Sequence, residues 1–347
     1  MKVALAGFQA VSLMHGGPNT QIRETCDGLR KLGVDAVLFD PWTTFDKESA
    51  DLVHVFSAGV GTYHFCREIH ELGIPLVVSP ITYSTHGSTF VKWGLAFTRL
   101  VQKLGPGIWS DYGFMTDICS WANHVMPNTQ AEADLLSRGL GIDRQKITVV
   151  PNGVDAAFFE GDPAEFQKRY GVRDYILNVG HIGHPRKNVL VLIQALGSIE
   201  RPSFIIGRII RNAYGESCVR EAAKHPQITL IDGIPNGSSL LRAAYAGAEV
   251  FVLPSFFETP GISALEAGLA GAKIVITPHG GTREYFGEMA TYVDPHSVSS
   301  IREGILQALD LPRDGRLRES IRRQFLWSEV ATRTLDVYRR VLARGKG

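Results

Sequence analysis

The sequence predicts an α/β chain built from two doubly wound parallel-sheet domains, and three observations carry that reading. Strand-like and helix-like segments alternate almost throughout, which is the pattern of βαβ units. The alternation breaks once, across "VVPNGVDAAFFEGDPAEFQKRYGVRD" (149–174). There Pro-Asn-Gly, Gly-Asp-Pro and Tyr-Gly spread turn chemistry over a long stretch. And 347 residues are long for one hydrophobic core but comfortable for two.

In chain order, the apolar runs predict strands at 2–7, 34–39, 52–56, 75–79, 123–127 and 146–150. After the break they resume at 175–180, 203–207, 227–231, 249–253, 273–277 and 290–293. Helical periodicity falls between them, at 19–32, 60–72, 129–139, 187–199, 214–224, 238–247 and 297–309. The last segment, "FLWSEVATRTLDVYRRVLARGKG" (325–347), spaces Val330, Leu335, Val337, Val341 and Leu342 as a terminal helix with no strand after it. The expected domains are 1–155 and 156–325, with 326–347 as a closing helix.

Composition excludes several classes. Hydrophobic residues make up 44% and charged ones 20%, and the formal charge is +1, so bulk electrostatics give no reason to expect nucleic acid. Cys26, Cys66, Cys119 and Cys218 lie far apart without a CxxC pair, which argues against a zinc site or disulfide framework and fits a reducing cytosol. "MKVALAGF" is too short for a signal peptide and reads as a first strand. No apolar run approaches the length of a membrane span. A cytoplasmic protein is expected.

Several places could carry chemistry. Gly16 and Gly17 follow the first strand, where glycines admit close backbone approach to a ligand or simply make a flexible loop. The stretch is not GxGxxG, and no GxxxxGK[ST] loop occurs, so dinucleotide and P-loop binding lose weight. Arg186 and Lys187 stand just before an apolar helix; cations there oppose the helix dipole and suit an anion clamp better than a cap. His86 follows the strand 75–79, and a lone histidine is more often structural. His181 and His184 lie on a loop without an acidic third ligand, and no Asp-x-Asp pair occurs, so no metal site is expected. In 89–109, Phe90, Trp93, Phe97, Leu100, Val101 and Leu104 fall at helical spacing among Lys92, Arg99 and Lys103. That is either a membrane-surface helix or ordinary core contact, and core contact is the reading taken.

The most informative stretch is "FFETPGISALEAGLAG" (256–271). Thr259 reads as an N-cap, Pro260 as the first helical residue and Gly271 as the stop. Glu258 then lies on a loop at a strand's carboxyl end, where open parallel sheets bind ligands. Glu266 lies about two turns into the helix among Leu265, Ala267, Leu269 and Ala270, although glutamate is rarely buried unless paired. A helix N-terminus suits a phosphate, and two acids beside it suit hydroxyl groups. A polyol joined to a phosphate is the ligand class implied.

These motifs together resemble the family-four retaining glycosyltransferases over nearly the whole length. The resemblance rests on the glycine pair 16–17, "MPNTQAEAD" (126–134), "VVPNGVD" (149–155), "VGHIGHPRKN" (179–188), "PSFFETPGISALEAGLAG" (254–271) and "GGTREY" (280–285), in that order. It implies the GT-B fold, two Rossmann-like domains facing a central cleft, with the last helix crossing back to the first domain. It implies a UDP- or GDP-type sugar donor as co-substrate, no other cofactor, no metal and no nucleic acid. The acceptor would be a glycan, a lipid-linked or a small molecule, and contact with the inner membrane surface would be peripheral. Glu258, Lys187 and His86 would be catalytic, with Glu258 on the donor sugar. The nucleotide set would be Gly16, Gly17, Arg186, Lys187, Gly261, Ile262, Ser263, Leu265 and Glu266, with Glu266 on the ribose. Two positions depart from the family pattern: His181 stands where arginine is usual, and "ETPG" (258–261) replaces "EGFG". Ile81 stands about where the family often has a histidine. Rival readings on the same fold are an epimerase or hydrolase of nucleotide sugars, or a non-catalytic nucleotide-sugar-binding protein.

Overall fold

Eleven parallel strands form two sheets in the computed structural model, which describes residues 1–13, 16–82, 84, 87–102 and 109–344. Contacts divide the chain into Met1–Gly153 with Trp327–Gly347, and Val154–Leu326.

The first unit opens with β1 (Lys2–Gly7), α1 (Gly17–Lys31), β2 (Asp35–Leu38), β3 (Leu52–Phe56), α2 (Val60–Glu71) and β4 (Leu76–Ser79). It continues with α3 (Ser88–Gln102), α4 (Asp111–Trp121), β5 (His124–Val125) and α5 (Gln130–Asp134). The sheet order is β2-β1-β3-β4-β5, all parallel. β3 and β4 are buried at every position, as central strands covered on both faces must be. The run 146–150 is not a strand. A 3₁₀ turn at Arg144–Lys146 precedes it and Pro151 follows it, and only one bridge forms, Ile147 to Val125. Helix α4 escaped the sequence reading; Ser110 caps it by accepting from the Gly113 N–H at 3.1 Å. The expected helix 129–139 is α5 followed by a π turn at Leu135–Gly139.

The second unit runs α6 (Ala164–Tyr170), β6 (Tyr175–Val179), α7 (Val189–Leu196), β7 (Ser203–Ile206), α8 (Ala213–Ala222), β8 (Ile228–Ile231) and α9 (Ser239–Gly247). Then come β9 (Ala248–Leu253), α10 (Ile262–Ala270), β10 (Lys273–Ile276), α11 (Thr282–Phe286), β11 (Ala290–Tyr292), α12 (Val298–Asp310) and α13 (Arg316–Gln324). Its sheet order is β11-β10-β9-β6-β7-β8, again all parallel. One core cluster packs α9, α10 and α13 beneath the sheet, and another packs α7, α8 and α12 above it.

The closing helix α14 (Trp327–Arg344) belongs to the first unit. It lies on α1 so closely that a Cβ on Gly28 would come within 2.7 Å of the Ala331 Cβ. Buried Tyr338 meets His54 Nδ1 at 2.6 Å, and His54 Nε2 meets the Ser79 hydroxyl at 2.9 Å. Burial pushes His54 down to about 3, so the imidazole is neutral and can serve one donor and one acceptor.

Helix α3 departs from expectation. Phe90, Trp93, Phe97 and Leu100 are exposed, while Val91 and Leu95 face the core. Val91 and Leu95 are the buried apolar residues of this helix, and the aromatic stripe lies outside. Lys103 and Leu104 lie outside the described residues.

Candidate functional site

The second unit's strand order reverses between β6 and β9, and the loops leaving those two strands are where an open parallel sheet binds its ligand. Each loop delivers charge. The first, 180–188, ends in a 3₁₀ turn carrying Arg186 and Lys187. Asn188 follows in the left-handed conformation (φ 57°). It is buried, and its Nδ2 donates to the carbonyls of Pro254 at 3.0 Å and Pro295 at 2.6 Å. The second loop, 254–261, is tied to the first by the Phe256 N–H donating to the Arg186 carbonyl at 3.0 Å. It carries Glu258.

The structure brings these three charges together. Lys187 Nζ lies 2.6 Å from Glu258 Oε1, and an Arg186 guanidinium nitrogen lies 3.4 Å from the same oxygen. Arg186 also donates to the Phe257 carbonyl at 2.7 Å. Glu258 is only 5% exposed, a cost no lone carboxylate bears. Burial pushes its carboxyl up, but Lys187 and Arg186 outweigh burial and hold it below the usual range. It is therefore an anion at neutral pH, suited to accepting hydrogen bonds and unsuited to donating a proton.

The Glu258 backbone is fixed as firmly as its side chain. Its N–H donates to the His279 carbonyl at 3.1 Å, and its carbonyl accepts from the Gly281 N–H at 2.9 Å. Gly280 sits at φ 99°, and a Cβ there would collide with the Glu258 carbonyl. The glycines of "GGTREY" thus position Glu258.

Helix α10 begins later than the sequence suggested. Gly261, at φ 81°, is the N-cap and Ile262 the first helical residue; Thr259 and Pro260 belong to the loop. The expected stop at Gly271 is present, at φ 99°. No side chain caps the N-terminus, and the first N–H groups of a helix have no partner within it. The Glu258 carboxylate lies beside this end, with Oε2 3.6 Å from where a Cβ on Gly261 would stand. Leu265 is fully buried in the core, so its side chain is used in packing.

Glu266 is the fifth residue of α10, little more than one turn in. Its companion was not foreseen: the Tyr245 hydroxyl, from α9, donates to Oε2 at 2.6 Å, and both residues are buried. Burial pushes the Glu266 carboxyl up to about 7, against the pull of the Tyr245 bond, and Asp155 nearby pushes it further up. A tyrosine within "SLLRAAYAG" could have signalled that a buried acid nearby needs a donor. His181 is half-buried and His184 exposed. Burial, Arg186, Lys187 and His181 together lower the His184 pKa. Among the described residues no group of three or more His, Cys, Asp or Glu could hold a metal ion.

In the first unit, Gly16 is the N-cap of α1 in an extended conformation and Gly17 its first residue. A Cβ on Gly16 would meet nothing within 4 Å, so the described residues do not demand a glycine there. His86 lies outside the described residues. Ile81 follows β4 at φ 52°, an outlier for a β-branched residue.

The second unit thus has a switch point carrying two cations, a buried carboxylate and a helix N-terminus without a side-chain cap. Residues 42–158 match the family described as Glycosyltransferase Family 4, and residues 173–310 match Glycosyl transferases group 1. The chain belongs to the family-four glycosyltransferases and has their GT-B fold. It is 27% identical to the MMP α-(1→4)-mannosyltransferase of Mycolicibacterium hassiacum over 80% of this chain and 68% of that protein. It is 24% identical to the D-inositol 3-phosphate glycosyltransferase of Segniliparus rotundus over 79% of this chain and 63% of that protein. The first four curated relatives are spanned over 54 to 68% of their lengths. Among solved structures it superposes on sucrose-phosphate synthase from Thermosynechococcus elongatus with a TM-score of 0.78 at 17% identity, covering 99% of both chains. On Anabaena HepE in complex with UDP the TM-score is 0.71 at 12% identity, covering 97% of this chain and 99% of that one.

Proposed function

We propose that the chain is a retaining glycosyltransferase that moves a sugar from a UDP- or GDP-type donor to an acceptor hydroxyl, without a metal. The observation that carries this is Glu258 held between Lys187 and Arg186 at the switch point, beside the uncapped start of α10. In this reading the diphosphate takes Lys187, Arg186 and the N–H groups of Ile262 and Ser263. Glu258, freed in part from its cations, accepts from donor-sugar hydroxyls. Glu266 accepts from the ribose.

The bond from the anomeric carbon to the diphosphate oxygen breaks, and its electrons stay on the diphosphate. Fixed cations and a helix N-terminus stabilise that charge as it grows. The acceptor oxygen bonds to the anomeric carbon on the same face, and its proton passes to the departing diphosphate oxygen. Retention follows without a covalent intermediate. The names of the relatives, a mannosyltransferase and an inositol-phosphate glycosyltransferase, support sugar transfer, with a glycan, lipid-linked or small-molecule acceptor. No described helix is long and apolar enough to cross a membrane; a cytoplasmic enzyme in peripheral contact with the membrane is the setting proposed.

Incubation with a panel of UDP- and GDP-sugars and candidate acceptors, with and without EDTA, tests the reading. Product with an unchanged anomeric configuration and EDTA-resistant turnover is expected. Inversion, or activity lost to EDTA and restored by Mn²⁺, would overturn it.

A further inference from the structure

Helix α3 is 15 residues long, about 22 Å at the α-helical rise, and two-faced in an unusual sense. Val91 and Leu95 are 0% and 6% exposed and seat it on the first unit. On the opposite side Phe90, Trp93, Phe97 and Leu100, spaced three, four and three apart, are 62%, 72%, 68% and 59% exposed. Single exposed apolar residues are ordinary, but four large ones on one helical stripe mark a surface that meets something.

Its charge identifies the partner. Lys92 and Arg99, seven apart and both exposed, run along one flank of the stripe. Arg138 opens on the same pocket as Ser88, Thr89, Lys92 and Trp93. No aspartate or glutamate occurs anywhere from 72 to 110. An apolar stripe with an aromatic anchor and a flank where Lys92, Arg99 and Arg138 outnumber Asp134, the ion-pair partner of Arg138, matches an anionic lipid surface: the rings enter the headgroup boundary while the cations stay at the phosphates. A second copy of the chain fits less well. A two-fold contact through this stripe would set the basic flank of each helix against another basic flank, where Asp134 is already paired with Arg138 at 4.0 Å. The helix is also too short, and too charged, to span a bilayer.

We propose that α3 docks the protein flat on anionic lipid bilayers through Phe90, Trp93, Phe97 and Leu100, with Lys92 and Arg99 supplying the preference for negative headgroups. This deepens the membrane contact of the reading above, but its test does not depend on sugar transfer. Intact protein should co-sediment with phosphatidylcholine vesicles containing phosphatidylglycerol and not with phosphatidylcholine alone. Binding should weaken in high salt. The double variant W93S/F97S should lose binding by tenfold or more, since each ring supplies a large buried area. The K92E/R99E variant should lose roughly fivefold or more per charge on anionic vesicles. Melting temperature and nucleoside diphosphate affinity serve as controls for folding. No sedimentation with anionic vesicles, or wild-type binding by folded W93S/F97S, would overturn the proposal. So would a concentration-dependent dimer that W93S/F97S abolishes, which would assign the stripe to a second copy. A protein that binds vesicles but transfers no sugar would lose the enzymatic reading and keep this one.

Discussion

The carboxyl edges of the two sheets each hold a buried glutamate, and they use it in opposite ways. In the first unit, Glu132 is 5% exposed. Its Oε1 accepts from the Thr82 N–H at 2.5 Å and its Oε2 from the Asn128 N–H at 2.7 Å. Both oxygens accept from backbone N–H groups. Around it the chain takes rare conformations, with Ser57 at φ 95° after β3 and Ile81 at φ 52° after β4. In the second unit, Glu258 is as deeply buried, but its Oε1 faces two side-chain cations. In the proposed function those partners would turn to the donor's diphosphate. The first carboxylate holds a shape, and the second holds charge in reserve. The two acids are equally buried and differ in what they accept from, backbone N–H groups for Glu132 and side-chain cations for Glu258.

The sharpest way to break this contrast is to remove Glu132. Glu132→Ala deletes two charge-assisted bonds of about 1.5–3 kcal/mol each, so a stability loss of several kcal/mol is expected. A denaturation midpoint shifted strongly downward, with nucleoside diphosphate affinity of the folded fraction unchanged, would support the structural role. A stable variant with altered nucleotide affinity would erase the distinction.

The next effect is on rate. Lys187→Ala should lower turnover by roughly a hundredfold or more and weaken donor binding less, because charge on the diphosphate grows toward the transition state. The variant also leaves Glu258 buried beside one cation instead of two, which destabilises the free protein. Adding Glu258→Gln should recover stability without recovering rate. Steady-state kinetics and thermal melts on the single and double variants read both halves. A single variant with wild-type turnover would reduce Lys187 to a structural counter-ion of Glu258.

The sequence showed much of the second unit because its site rests on residue types that are conspicuous in the wrong place. Lys187 before an apolar helix and Glu266 inside one are both anomalies against local rules. The strands were legible wherever both faces are buried, as in β3, β4 and β9. The run 146–150 was misread because β-branched residues followed by proline resemble a strand, while a 3₁₀ turn and Pro151 leave room for only one bridge. The start of α10 was misplaced because Thr259-Pro260 imitates a cap, and only Gly261 can adopt the φ of 81° that turns the chain into the helix. Tyr245 hints at a buried acceptor, but which acid it serves is not legible, since the pairing with Glu266 spans 21 positions. The stripe of α3 reads as core in the sequence because periodicity reveals a face without saying which way it points.

A smaller effect isolates Glu266. Glu266→Ala should weaken nucleoside diphosphate binding roughly tenfold, the value of a charge-assisted bond to ribose. A 2′-deoxyribose analogue should lose much of the same affinity with the native protein and little more with the variant. Calorimetry that finds the variant unchanged would leave Glu266 as a second structural acid, like Glu132.

The smallest effect, and the most diagnostic, is in pH. The Glu266 carboxyl is raised from 4.5 to about 7 in the ligand-free protein, with burial the main cause. A raised folded-state pKa means that the folded chain holds this proton more tightly than the unfolded one. Its contribution to stability is full below about 4.5 and fades as pH rises through about 7. Ribose hydroxyls favour the opposite form, because they donate to the carboxylate. Ligand affinity should therefore rise a few-fold between pH 6 and pH 8, while the ligand-free stability contribution is lost mainly between about 4.5 and 7. The diphosphate titrates nearby, so the measured quantity is the ratio of affinities for the nucleoside diphosphate and its 2′-deoxy analogue, in which that titration cancels. The ratio should rise with pH in the native protein and stay flat in Glu266→Gln. Tyr245→Phe removes the bond that pulls the carboxyl down, so its midpoint should move to higher pH. A flat ratio in the native protein would mean that Glu266 does not reach the ribose, and would leave it as the acceptor of the Tyr245 hydroxyl.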